Sequence, residues 1–190
     1  MANFTRDAIK ESFVKLLNKK PVNKITVKDI AQECGINRNS FYYHFSDIPT
    51  LLEEIFTEEV QRLINSERPC ACIYEQLIYA IQFAVENESA IYNIYNSANR
   101  ELFENYLDRI SQKAVSDYID VVSREFNIKN EDKEVLVLYY KCMIIGFVID
   151  WLGSQMQYDI CEKLRRVCEL FDGAMQNAFY RCEREKLIHG

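Results

Sequence analysis

The sequence predicts an all-α fold of about nine helices, with a three-helix N-terminal helix-turn-helix domain followed by a helical body. Three observations carry this. Apolar residues recur at helical spacing from one end of the chain to the other, and no stretch alternates as a half-buried strand does. Five Gly and three Pro in 190 residues are too few for the turns of an all-β fold. Apolar residues make up 48% of the chain, ample for a packed core.

The first helix is expected over residues 5–19, where Ile9, Phe13, Leu16 and Leu17 fall on one stripe. Asn18-Lys19-Lys20-Pro21 closes it, with positive charge at the negative helix end and Pro as the stop. The stretch Thr26 to Phe45, TVKDIAQECGINRNSFYYHF, then holds two short helices separated by Gly35. Thr26 is the expected N-cap of the first, with Asp29 as its capping partner and Ile25 stapled to Ile30. Asn37 repeats the pattern, with Ser40 at the third helical position and Ile36 facing Phe41. Gly35 tolerates the left-handed conformation that a sharp helix–helix turn needs. Phe41 and Phe45, one turn apart, point inward and leave Arg38, Asn39, Tyr42, Tyr43 and His44 to flanks and solvent.

Those residue types suit a major groove. Arg38 and Asn39 have the donors and acceptors to read base edges, and the Tyr42 hydroxyl and Thr26 can reach phosphate. Lys28, Asn37, Ser40, Tyr43 and His44 complete the expected DNA-facing set. A helical hairpin with a merely solvated outer face has the same local pattern.

The segment from about Thr5 to Phe56 resembles the DNA-binding domain of the TetR family of transcription regulators. The matches are Ile25-Thr26-Val27, Ile30-Ala31, Tyr42-Tyr43-His44-Phe45 and the Leu51-Leu52 pair. One position departs: where the family commonly carries a Lys after the closing Phe, this chain has Ile48. The resemblance implies double-stranded DNA with a palindromic operator as partner, and repression as the commoner mode. It also implies a homodimer paired through its last two helices and a small-molecule effector held in the helical body.

Charge agrees with one DNA-facing end. Residues 1–50 carry eight Lys/Arg and five Asp/Glu, a net of +3, whereas the remaining 140 carry fifteen and twenty-four, a net of −9. A fourth helix is expected from Ser46 or Asp47 to about Asn65, followed by a break at Ser66-Glu67-Arg68-Pro69. The domain boundary is placed inside that helix, giving 1–48 for DNA binding and 49–190 for effector binding and dimerisation.

Ile73, Leu77, Ile81, Ala84 and Val85 mark a fifth helix, and Ile91 to Tyr95 a short sixth. Leu102 to Val122 forms a seventh, and an eighth runs from after Asn130 to about Leu152. The run Tyr139 to Leu152, with Gly146 ahead of Trp151, resembles the dihydroxyacetone-kinase-regulator branch of the family. The ninth is expected as one helix from Asp159 to about Glu185, with Cys161, Leu164, Cys168, Phe171, Met175, Ala178 and Cys182 as an a/d seam for a second subunit.

On the eighth helix, Tyr139, Met143, Phe147 and Asp150 share a side with Gly146. Aromatic rings, a flexible thioether and one carboxylate suit an apolar ligand bearing a donor or positive charge. The alternative is packing on a neighbouring helix, with Asp150 at the rim.

No export signal is visible at MANFTRDAIKESF, and the most apolar run, Leu136 to Ile149, contains Lys141 and falls short of the ~20 residues of a membrane span. A cytoplasmic chain with reduced thiols is therefore expected from the seven Cys. Cys70-Ala71-Cys72 has no second ligand pair at zinc-finger spacing, and no Cys adjoins a His. No enzyme, cofactor or metal site is expected. A protein co-activator, a thiol- or metal-responsive sensor and a dimer that has lost DNA binding are the other readings.

Overall fold

A computed structural model of the chain describes residues 2–65, 81–82 and 84–189. It is helical throughout its ordered elements, with no strand among the described residues. The helices are α1 Ala2–Leu17, α2 Val27–Cys34, α3 Arg38–His44, α4 Ile48–Asn65, α5 Glu88–Tyr95, α6 Arg100–Val122, α7 Asn130–Gly153, α8 Ile160–Leu170 and α9 Ala174–His189. Residues 81–82 and 84–86 are also helical, and a single 3-10 turn spans Val22–Lys24. The expected break at Ser66 to Pro69, the apolar positions Ile73 and Leu77, and the Cys70/Cys72 pair lie outside the described residues.

The chain divides into two compact units, Met1–Ser66 with Phe83–Leu107 and Glu67–Gln82 with Asp108–Gly190. In the first, the α1 stripe Ile9, Phe13 and Leu17 is fully buried with Ile30 of α2, Phe41 of α3 and Leu51 and Leu52 of α4. α1 stops at Leu17, and its last carbonyl accepts a 2.8 Å hydrogen bond from the Asn93 side chain of α5. That satisfies one of the carbonyls a helix end leaves without an internal partner. α4 begins where Asp47 accepts the Thr50 N–H at 2.8 Å, and Pro49 sits in the first turn, where no amide donor is needed. Further along the unit, Phe56 stacks on Tyr106 at 4.4 Å between ring centroids, and Phe103 joins them.

The second unit is built on α7, which buries Val137, Ile144, Val148, Trp151 and Leu152. Lys141 does not run out to water as its long stem would allow; its ammonium pairs with Asp108 of α6 at 2.8 Å. α7 is 24 residues long with a window of mean hydropathy 1.9, so by length and composition it could cross a membrane, although Leu136 to Ile149 alone falls short. Its turn to α8 contains two residues at positive φ, Gln155 and Met156.

The single ninth helix expected from Asp159 to about Glu185 is two helices. Asp159 caps the first by accepting the Glu162 N–H at 3.0 Å, as its spacing predicts. The chain then leaves the helix at Phe171 and restarts at Ala174, with Gly173 at φ +74°. The heptad seam is accordingly interrupted. Leu164 and Met175 are spent in the unit's own core together with Phe179, while Phe171 stands exposed. A 3,4 apolar spacing continues through a break as readily as through a helix, so periodicity alone did not reveal the turn.

Candidate nucleic-acid interface

The two motif helices are fixed by their caps. Thr26 and Asp29 form a full capping box: the Thr26 N–H donates to Asp29 at 2.9 Å, and the Asp29 N–H donates to the Thr26 hydroxyl at 3.2 Å. Lys20 approaches the same carboxylate at 3.0 Å. Its hydrogen bond, with those from Thr26, holds the Asp29 carboxyl down at about 2. Gly35 ends α2 at φ +74° and ψ +25°, and its N–H returns to the Ala31 and Gln32 carbonyls. Nothing lies within 4 Å of where its Cβ would be, so the dihedral rather than space demands glycine here.

α3 starts where the Asn37 side-chain oxygen accepts the Ser40 N–H at 2.8 Å and the Ser40 hydroxyl at 3.2 Å. It ends at Phe45, whose N–H donates to Phe41 at 2.9 Å. With Phe41 and Phe45 in the core, Arg38 and Tyr42 lie one turn apart on the outer face, and Asn39 and Tyr43 continue it. Tyr43 is 81% exposed on this outer face.

Nine residues were expected to face DNA, and they fall into three groups. Lys28, Arg38, Asn39, Tyr42 and Tyr43 are exposed. Thr26, Asn37 and Ser40 use their side-chain oxygens to build caps, although Thr26 and Asn37 still face solvent. His44 is half-buried and packs edge-on against Tyr43, with 5.1 Å between centroids.

A charged cluster behind α3 was not anticipated. Arg6 of α1 forks onto Glu54 of α4, with Nε to Oε1 at 2.5 Å, and its guanidinium carbon lies 4.7 Å from the centroid of the Phe45 ring. Lys10, one turn along α1, bridges Glu54 at 2.9 Å and also pairs with Glu58. The Arg6 hydrogen bond outweighs burial, with help from Lys10, and holds the Glu54 carboxyl at about 2. A signal did exist in the sequence. Two basic residues and two glutamates, each pair four apart, form matching one-turn ladders on two helices.

The expected effector residues lie along one side of α7. Tyr139 and Asp150 are exposed, and Met143 and Phe147 are half-buried. Asp150 accepts a 2.9 Å hydrogen bond from the Tyr158 hydroxyl. A cavity of about 310 Å³ in the same unit lies elsewhere, between Gln112, Ser116 and Asp120 of α6 and Lys133, Val137 and Leu138 of α7.

Comparison with known proteins agrees with this architecture. The family described as "Bacterial regulatory proteins, tetR family" matches residues 12–55, and one described as "Transcriptional regulator C-terminal region" matches residues 72–173. A relative from Lactococcus lactis subsp. lactis (strain IL1403), the HTH-type dhaKLM operon transcriptional activator DhaS, is 30% identical over 161 residues, covering 80% of this chain and 86% of its own. Among solved structures, a dihydroxyacetone kinase operon activator DhaS superposes with a TM-score of 0.77 at 18% identity, covering 94% of this chain and 98% of the other. NalD, the secondary repressor of the MexAB-OprM multidrug efflux pump in Pseudomonas aeruginosa, reaches 0.60 at 17% identity, covering 89% and 95%. At those identities the structural likeness speaks for the fold alone. The family matches and the Lactococcus relative go further: the chain belongs to the TetR family of bacterial transcription regulators.

Proposed function

We propose that this regulator acts as a homodimer that reads a palindromic operator with α3 and answers to a small molecule bound in its helical body. The observation that carries the reading is α3 itself. It is a seven-residue helix pinned by Asn37 and by buried Phe41 and Phe45, with Arg38, Asn39 and Tyr42 turned outward and free of intramolecular caps. Arg38 and Asn39 are assigned to base edges, and Tyr42, Lys28 and Thr26 to phosphates. Residues 1–48 are the DNA-contacting part and 49–190 the effector-binding and dimerisation part. The place of action is the cytoplasm.

One short helix reads few base pairs, so two copies one DNA turn apart are required for a useful operator. The surface assigned to the second copy is the outward face of α7 rather than an unbroken terminal helix. Val135, Leu138 and Tyr139 there are 66%, 55% and 61% exposed, and Cys142 and Gly146 continue the stripe. No charge interrupts it from Val135 until Asp150. The opposite face of α7 is locked into the unit by Trp151, Leu152 and the Lys141–Asp108 pair, so a partner helix, not lipid, is the cover we assign.

Repression is the commoner family mode, but the 30% identity to the activator DhaS favours activation as the direction here. A mobility shift with the DNA upstream of the protein's own gene tests the reading. A retarded, salt-sensitive, sequence-selective complex supports it, and no complex at low salt overturns it.

A further inference from the structure

Arg6 sits where three elements meet. Its guanidinium is held by a carboxylate of α4 on its edge and lies over the Phe45 ring on its face. Phe45 is the residue that closes α3; it is 1% exposed, and its N–H makes the last backbone hydrogen bond of the helix, to Phe41. A guanidinium suits this place because its planar fork matches a carboxylate while its face stacks on an aromatic ring. Lys10 holds Glu54 from the other side, and Glu58 holds Lys10, so the carboxylate that orients Arg6 is itself anchored.

From this geometry we infer that Arg6 is a positioning residue for DNA reading, the part through which α4 sets the orientation of the C-terminal end of α3. The inference rests on α3 being the helix that enters the groove. It differs from the simpler role of a basic residue near DNA, a phosphate contact. A phosphate contact keeps its charge attraction when Arg becomes Lys and is weakened, not helped, by a neighbouring carboxylate. A fork and stack need arginine and need Glu54.

The two roles give opposite signs. Glu54→Gln keeps the shape and one acceptor but removes a negative charge from a DNA-binding domain. Electrostatics alone would tighten DNA binding; loss of positioning weakens it. For Arg6→Lys and for Glu54→Gln, operator affinity should fall about tenfold, with the slope of log affinity on log salt unchanged. The double variant should lose little more than either single change, because both break one fork. Melting temperature and active-fraction titration are recorded alongside, since a purely structural role would lower stability and leave the affinity of the folded fraction intact.

A second readout does not involve DNA. In Glu54→Gln, hydrogen exchange at the Phe45 amide should quicken about tenfold while buried α1 and α4 amides keep their protection. Tighter operator binding by Glu54→Gln, full activity of Arg6→Lys, or unchanged exchange at Phe45 each overturns the inference. Failure of the unaltered protein to bind any upstream DNA would instead overturn the proposed function, and the exchange measurement would still decide whether the clamp exists.

Discussion

The hydroxyl of Tyr158 donates a 2.9 Å hydrogen bond to Asp150, eight residues back across the turn that ends α7. The Trp151 indole N–H adds a 3.0 Å bond to the Tyr158 carbonyl, so the turn is closed on both sides. Partial burial, and then the Asp150 carboxylate, push the Tyr158 hydroxyl up to about 12. An effector that engages Asp150 would share its carboxylate with the Tyr158 hydroxyl or displace it. Asp150→Asn should move the Tyr158 titration, followed by NMR, down towards the ordinary value near 10. An unmoved titration would show that burial alone holds it. If the effector site lies here, the same variant binds operator normally without effector and responds weakly to it.

Acid should attack the DNA-facing unit through two carboxylates. Asp29 and Glu54 are each held at about 2, below their ordinary values, so each contributes stability that is complete above the unfolded value near 4 and disappears as pH falls towards 2. Denaturant unfolding of Asp29→Asn and wild type should differ at neutral pH and converge between about pH 4 and pH 2. A constant difference across that window would contradict the Lys20–Asp29 and Thr26–Asp29 contacts as its source.

The two glycines with opposite roles make a matched pair. Gly173 lies at φ +74°, so Gly173→Ala should cost about 1 kcal/mol by denaturant unfolding, the penalty of a side chain in the left-handed region. Gly146 is helical with nothing within 4 Å of its missing Cβ, so Gly146→Ala should be neutral or stabilising by up to about 1 kcal/mol. A leucine at the same place is the interface test. Gly146→Leu should fold and sediment as a monomer if the α7 face receives the second copy. A native-sized dimer would move the interface elsewhere.

The motif was legible because its determinants are local. Thr26 with Asp29, Asn37 with Ser40, and Gly35 between them act within four residues of sequence, so side-chain identity and spacing suffice. The fold class was legible for a related reason, since helical periodicity is repeated in every element. Features set by tertiary packing were not. Nothing near Asp150 announces that Tyr158 will turn back to it, and the Arg6/Lys10 and Glu54/Glu58 ladders match in spacing without saying that α1 and α4 lie side by side. The break after Leu170 escaped because Gly173 sits inside an apolar spacing that stays in register on both sides. In each case the deciding contact joins residues that local pattern keeps apart.

Arg38 and Tyr42 offer a way to separate reading from holding. Arg38→Ala should cost roughly 1–3 kcal/mol of operator affinity and relax sequence preference at one position of each half-site. Tyr42→Phe should weaken operator and unrelated DNA alike, because a phosphate contact carries no sequence information. Equal losses on both DNAs for Arg38→Ala would reassign it to the backbone.

The most direct test of the central claim is a mobility shift at fixed salt with the upstream DNA of the protein's own gene, comparing wild type with Arg38→Ala on the operator and on a scrambled duplex of equal length. The expected result is a wild-type complex selective for the operator, with that selectivity lost in Arg38→Ala and the unfolding transition unchanged. Wild-type binding that is equal on both duplexes, or an Arg38→Ala protein that keeps full selectivity, would contradict the assignment of α3 as the reading helix.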